Sequence, residues 1–218
     1  EDRKKLIAAL VFIFFSILFW GIYEQAGGSL TIFAANNLNS ELFGVHLDPN
    51  GVNNSGGALF IILLAPIFGA LWIWLAKKKL NPNTVIKFGL GFIFLGLGYY
   101  VLFGTRFFAN AAGITSLDFF TLALLVITFG ELCLSPIGLS IMTKLSTQNL
   151  QGMMMGMWFL ASAYGQYVAG IIGSNMSDSV VEGGSNLDKL IAYTNGYKEI
   201  ALYSIIAGLV LIIISPLV

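Results

Sequence analysis

The sequence predicts an all-α membrane protein built as a bundle of six transmembrane helices. Of its 218 residues, 57% are hydrophobic and only 10% are charged, whereas soluble domains carry about 25% charged residues. The mean hydropathy is +0.84. This number of charges is too small to solvate the surface of a water-soluble globule. Much of the surface must therefore face lipid. The formal net charge of +0 gives no electrostatic reason to expect a nucleic-acid partner.

Six apolar segments are each long enough to cross a bilayer core of roughly 30 Å, which takes about 20 helical residues. In chain order they cover approximately residues 6–35, 58–76, 84–103, 117–143, 153–174 and 200–218, so the whole chain, 1–218, is predicted to form one transmembrane bundle. The first and fourth segments exceed the required length, and we expect them to tilt or to project beyond the membrane. Polar segments rich in Gly and Asn at 36–55 and 175–195 predict two long external loops.

The distribution of basic residues predicts the orientation. With the N-terminus inside, eight of the eleven Lys and Arg residues fall on the inner face, and only Arg106, Lys189 and Lys198 fall outside. Cytoplasmic loops carry such an excess of basic residues. We therefore expect both chain ends to be cytoplasmic, in a cell membrane that is most simply a bacterial inner membrane.

Glu131 is the residue that most needs a functional explanation. It lies about fourteen residues into the fourth segment, which is roughly 20 Å along a helix and near mid-membrane. A carboxylate at that depth is costly and usually marks a functional site. The alternative is a protonated Glu131 that hydrogen-bonds to a neighbouring helix. Ser135 follows one turn later on the same helix face, and Pro136 frees a backbone carbonyl there.

Glu24 is a second carboxylate within an apolar segment, about midway along the first. Trp20 precedes it by one turn and shares its face. The alternative is that Glu24 lies near the outer interface and is simply solvated. Its neighbours Tyr23 and Gln25 could be ordinary interhelical hydrogen-bond partners.

Two further groups are candidates for contact with a ligand. Trp158, in the fifth segment, could form the wall of a pocket or face lipid. Asn53 and Asn54 precede the second segment, where the alternative role is a plain loop and helix cap.

The sequence contains no pattern typical of an enzyme. It lacks GxSxG, HExxH and P-loop motifs. Its single histidine, His46, and its single cysteine, Cys133, lie in different segments and cannot form a metal site or a convincing dyad. We therefore expect neither an enzyme nor a bound metal or cofactor.

Three segments resemble one known family. The segment 19–30, FWGIYEQAGGSL, resembles the seventh helix of the proton-dependent oligopeptide transporters, which belong to the major facilitator superfamily. The segment 130–140, GELCLSPIGLS, is similar to the tenth-helix motif of that family and is more specific. The segment 59–68, LFIILLAPIF, resembles the eighth helix. Family members have twelve or more spans in two six-helix bundles, so the resemblance implies the C-terminal half of a major facilitator superfamily fold.

The resemblance also implies proton-coupled symport of di- and tripeptides, with this chain forming the C-terminal half of the substrate cavity. Glu131 would pair with the peptide ammonium, and Ser135 would offer a hydroxyl beside that pair. Trp20 and Trp158 would wall the side-chain pocket. Glu24 would pair with a cation of the other bundle across the outer gate, and its protonation would couple proton entry to opening.

One departure from the family pattern concerns the start of the eighth helix. Many members have Asn-Pro there, whereas this sequence has Gly57-Ala58. Asn53 or Asn54, one turn earlier, is the expected substitute in substrate binding.

The expected partners are a di- or tripeptide, protons, membrane lipid and the N-terminal six-helix half of the same transporter. Two alternatives stay open: a related symporter of nitrate or another small organic solute, and a non-transporting structural bundle. Two intramembrane carboxylates disfavour an anion as the substrate. A structural bundle would not need Glu131 at mid-membrane.

Overall fold

The computed structural model describes residues 2–146, 150–180 and 183–217, and these are almost entirely helical. The helices in chain order are α1 (Asp2–Tyr23), α2 (Ser29–Asn37), α3 (Pro49–Lys77), α4 (Thr84–Gly104), α5 (Leu117–Leu145), α6 (Gln151–Asp178) and α7 (Asn186–Ile214). Short 3-10 turns lie at Glu24–Gly27, Thr105–Phe108 and Ser215–Leu217. Together α1 and α2 make one crossing, so six helical crossings form the bundle, and the predicted all-α membrane fold is confirmed.

Five of the six crossings are long and apolar enough to span a membrane by composition alone. They are Lys5–Asn37, Pro49–Lys77, Thr84–Phe108, Leu117–Leu145 and Asn186–Ile214. The sixth, α6, has 28 residues and the required length, but it does not meet the same criterion of hydropathy.

The first crossing is interrupted, where the sequence predicted one continuous segment. The break is at Gly28, whose φ of −126° and ψ of −110° are far from helical values. Its N–H donates to the carbonyl of Gln25 at 3.0 Å. The Gly27-Gly28 pair has no side chains to hold the regular helix, so the chain tightens into a 3-10 turn before α2 begins.

Two helices begin well before the predicted apolar segments. The second was predicted from residue 58, but α3 begins at Pro49, because the Asp48 side chain accepts a hydrogen bond from the N–H of Gly51 at 2.7 Å and proline suits the first helical turn. The last was predicted over 200–218, of which residue 218 lies outside the described residues. In the structure α7 begins at Asn186, where Ser185 and Asp188 form a reciprocal capping box.

The predicted external loop at 36–55 contains ordered structure. A two-stranded antiparallel hairpin pairs β1 (Glu41–Leu42) with β2 (Val45–His46). Phe43 and Gly44 form its turn with φ values of 49° and 81°. The side chain of Phe43 is 81% exposed at the tip.

Helix α4 is the centre of one half of the bundle and packs against both α5 and α7, while α1 packs against α6. Gly91 of α4 and Gly130 of α5 meet backbone to backbone: a methyl group at Gly130 would lie 2.6 Å from the Gly91 carbonyl oxygen. Small residues permit such close approach between membrane helices. This contact sets the position of α5 relative to α4 at Gly130, the residue directly before Glu131.

Helix α3 is the least covered part of the bundle. The structure describes all of its residues, and only Asn53 and Gly56 are buried. Its packing partners are α5 and the interrupted part of the first crossing. An apolar helix with so little protein around it presents a long face to lipid or to another protein surface.

Candidate functional site

The Tyr23 hydroxyl donates a hydrogen bond to Oε2 of Glu131, which joins the end of α1 to the middle of α5. Both residues are half-buried. Among the described residues no other hydrogen bond to Glu131 is present, so Oε1 has no protein donor. The interhelical hydrogen bond expected of a structural Glu131 therefore exists, yet it uses only one of the two carboxylate oxygens.

Glu24 is the next residue along the chain and faces a different helix. It opens the 3-10 turn, is half-buried, and has the side chain of Gln166 of α6 as a polar neighbour. The change from α-helix to 3-10 turn at this point separates two consecutive side chains, with Tyr23 bound to α5 and Glu24 near α6. Glu24 is thus neither buried in the core nor freely solvated.

The two carboxylates lie close enough to interact electrostatically with each other. Among the described residues, no lysine or arginine lies near enough to offset the charge of Glu24 or Glu131. Two half-buried carboxylates without a cation are unfavourable unless one is protonated or a cation is supplied from elsewhere.

Trp20 lies beside the Tyr23 ring. The two rings are edge-to-face, with centroids 5.2 Å apart, and the Cβ of Trp20 packs on Gly165 of α6. The indole Nε1 of Trp20 is buried and has no acceptor among the described residues. A buried indole N–H usually has a partner, so this unpaired donor is an exception within the described bundle.

The structure distinguishes the two asparagines. Asn53 is 3% exposed, and its Nδ2 donates to the carbonyl of Ala26 at 2.9 Å and to Oγ1 of Thr31 at 3.3 Å. Its Oδ1 is buried without a hydrogen-bond donor from the described residues. Asn54 is exposed. The amide nitrogen of Asn53 therefore bonds to the interrupted part of the first crossing. The amide oxygen of the same side chain is an acceptor without a donor among the described residues.

Helix α3 also passes close to the Tyr23 hydroxyl. A methyl group at Gly57 would lie 3.9 Å from that oxygen. That is an ordinary van der Waals distance, so Gly57 places α3 beside the Tyr23–Glu131 pair without a need for glycine at this position.

Ser135 and Trp158 lie further along the bundle than this cluster. Ser135 is half-buried one turn beyond Glu131. Trp158 is 4% exposed, packs edge-to-face on Phe88 of α4 at 6.2 Å, and lies directly against Gly138 of α5. Trp158 therefore belongs to the bundle core, and the lipid-facing alternative is wrong. Its contact with a ligand stays a prediction.

Two cavities of the described structure lie away from these residues. One, of about 820 Å³, lies between α1, α6 and α7, and the other, of about 600 Å³, lies under the hairpin between α3 and α5. Neither is lined by Glu24, Glu131 or Asn53.

Sequence reasoning did not identify Gln166 as the neighbour of Glu24, nor Tyr23 as the specific partner of Glu131. The sequence signal for Tyr23 was its hydroxyl group directly beside the intramembrane carboxylate of Glu24, which indicates only an interhelical hydrogen-bond partner of unspecified identity. Gln25 does make the interhelical bond considered for it, with Nε2 donating to the carbonyl of Ala169 at 3.1 Å.

Comparison with known proteins gives a consistent result. The PTR2 family model, described as the POT family, matches residues 1–189. The peptide transporter YePEPT of Yersinia enterocolitica is 36% identical over 179 residues, which cover 81% of this chain and 35% of that protein. The dipeptide and tripeptide permease B of Salmonella typhimurium is 30% identical over 220 residues, which cover 98% of this chain and 43% of that protein.

A solved structure shows the same fold. The crystal structure of a peptide transporter POT in complex with sulfate superposes with a TM-score of 0.83 at 30% identity, and the match covers 99% of this chain and 40% of that chain. The chain thus spans less than half the length of each of these proteins.

Proposed function

The chain belongs to the POT family of membrane transporters, and on this premise we propose that it forms the C-terminal half of a proton-coupled symporter of di- and tripeptides. The observation that carries the proposal is the state of Glu131. It is a half-buried carboxylate in the middle of α5, anchored by Tyr23 through one oxygen only and without a cation among the described residues. The ammonium group of a peptide N-terminus has the charge and the donors to complete that site.

The neighbouring groups suit a peptide. Two unpaired atoms, Oδ1 of Asn53 and Nε1 of Trp20, could accept from a peptide N–H and donate to a peptide carbonyl, once a movement of the helices uncovers them, because both are buried in the present packing. Ser135 offers a hydroxyl one turn from Glu131. Trp20 and Trp158 would supply apolar walls for a side chain, and Trp158 would need to be uncovered from its present packing to make that contact.

Glu24 suits the coupling of proton entry to movement. It lies on the 3-10 turn at the break in the first crossing, beside Gln166 and within electrostatic range of Glu131. A cation of the N-terminal bundle would pair with the ionised carboxylate and hold the outer gate closed. Protonation would remove the charge, break that pair and free the gate.

The remaining wall of the cavity would come from the N-terminal six-helix half of the same transporter. Sites in such transporters lie near the bilayer midplane between two bundles, and alternating access is the rocking of one bundle against the other. We place the protein in a cell membrane, most simply the bacterial inner membrane, with both ends of this chain on the cytoplasmic side, because eight of the eleven basic residues fall there.

The test is uptake into liposomes that contain the complete transporter, driven by an inward proton gradient. We expect saturable uptake of a dipeptide and a tripeptide, lost when a protonophore collapses the gradient. Competition by nitrate and by a small amino acid without a peptide bond is measured beside it. Nitrate transport without peptide transport would contradict the proposal and favour the small-solute alternative.

A further inference from the structure

Tyr23 occupies the junction between the two carboxylates of the candidate site. It is the last residue of α1, it directly precedes Glu24, and its hydroxyl donates to Oε2 of Glu131. The proposed function gives roles to Glu24 and Glu131 but none to the Tyr23 hydroxyl. A half-buried phenol bound to a carboxylate is nevertheless the only described protein group that fixes where the Glu131 charge lies.

The Tyr23 ring is held before the hydroxyl makes its contact. It stacks on Phe19 with centroids 5.8 Å apart and meets Trp20 edge-to-face at 5.2 Å. On the opposite helix, the Gly91–Gly130 contact fixes the backbone of α5 next to Glu131. Donor and acceptor are therefore both positioned by packing, so the hydrogen bond has a defined place in the bundle.

In this arrangement the two carboxylate oxygens of Glu131 have different roles. A bond from Tyr23 to Oε2 orients the carboxylate and stabilises its ionised form, since hydrogen bonds to charged acceptors are about twice as strong as neutral ones. Oε1 then stays available for a second donor. We propose that Tyr23 is a positioning residue for the ammonium-binding carboxylate of Glu131, and that peptide affinity depends on its hydroxyl; this inference rests on the proposed function of Glu131.

The test measures the equilibrium Kd of a dipeptide for the purified complete transporter carrying Tyr23→Phe. Phenylalanine keeps the contacts with Phe19 and Trp20 and removes only the donor. We expect Kd to rise about tenfold, the effect of losing one hydrogen bond to a charged group. The matched control is Tyr99→Phe, because the Tyr99 hydroxyl donates to the carbonyl of Ile22 at 2.7 Å, one residue away on the same helix. That variant should lower thermal stability and leave Kd within about twofold.

A coupling measurement separates positioning from general packing. Glu131→Asp keeps the charge but withdraws the carboxylate by one methylene, so binding stays measurable while the bond to Tyr23 is lost. If Tyr23 acts through Glu131, adding Tyr23→Phe to Glu131→Asp changes Kd by less than about twofold. An equal tenfold effect in both backgrounds, or an unchanged Kd for Tyr23→Phe alone, would overturn the inference.

The same set of variants distinguishes a failure of this inference from a failure of the proposed function of Glu131. If Glu131→Gln binds peptide normally, then Glu131 is not the ammonium site and the proposed function of that residue fails. If Glu131→Gln loses affinity while Tyr23→Phe does not, the proposed function stands and only the role of Tyr23 is rejected.

Discussion

The side chain of Asn53 donates to the backbone carbonyl of Ala26 at 2.9 Å and so ties α3 to the interruption in the first crossing. The broken helix leaves this carbonyl without its regular helical partner. Backbone carbonyls inside a membrane protein need a partner within the protein, and this one accepts from Asn53 of α3 and from Oγ1 of Thr31 at 2.6 Å.

We expect Asn53→Ala to lower the free energy of unfolding by about 0.5–1.5 kcal/mol, because the bond to the Ala26 carbonyl is lost while Oγ1 of Thr31 still donates to that carbonyl at 2.6 Å. Thermal unfolding of the purified complete transporter in detergent measures the change. The matched control is Asn54→Ala, since Asn54 is the next residue on α3 and is exposed. Equal effects of the two substitutions would show that the bond to Ala26 is not stabilising.

Glu131→Gln should strongly weaken peptide binding in the complete transporter. A peptide ammonium would then face a neutral amide in a poorly hydrated site, a loss of about 2–5 kcal/mol or about 30-fold or more in Kd. Glu199→Gln is the control, because Glu199 is an exposed carboxylate on α7. Near-normal affinity of the Glu131 variant would remove that residue from the site.

Cysteine labelling tests the orientation of the bundle. In a Cys133→Ser background, Phe43→Cys places a thiol at the exposed hairpin tip between α2 and α3, and Lys79→Cys places one after α3. Because α3 separates the two positions, we expect an impermeant reagent to label position 43 and not position 79 in intact cells. The reverse pattern would show that the chain is inserted the other way.

The 218-residue chain by itself should not transport peptide. In the proposed function it supplies only one wall of the cavity and needs a second bundle to rock against, and its two carboxylates lack a cation among the described residues. Peptide-driven proton uptake into liposomes is measured for the lone chain and for the same chain co-expressed with its first half. Saturable uptake by the lone chain at the rate of the pair would contradict the half-transporter proposal.

The fold could be predicted from the sequence because its dominant signal is one-dimensional. Long apolar runs and sparse charges mark the crossings without any knowledge of packing, and the POT family resemblance is confirmed by the family model. The helix ends were missed where polar caps extend a helix beyond its apolar part, as Asp48 does for α3 and Ser185 for α7. The break at Gly28 was missed because hydropathy does not report backbone geometry.

Part of the candidate site could be predicted from the sequence for the same reason. Glu24 and Glu131 are conspicuous because carboxylates are rare in apolar segments. The burial of Trp158 and the difference between Asn53 and Asn54 were not readable. They depend on which neighbour covers each side chain, which sequence spacing along one helix does not specify. Tyr23 was visible only as a generic hydrogen-bond partner until α5 was placed beside it.

The modest hydropathy of α6 has a consequence for the biogenesis of the protein. The translocation machinery releases a helix into lipid according to its own apolarity, and α6 falls short of the other five crossings by that measure. Its main packing partner is α1, which the ribosome produces much earlier. We therefore expect stable insertion of α6 to depend on its packing against α1, with Gly165 against Trp20 of a helix already in the membrane. Substitutions at that contact should then reveal themselves first as degraded, incompletely inserted chains, before any defect in the mature protein can be measured.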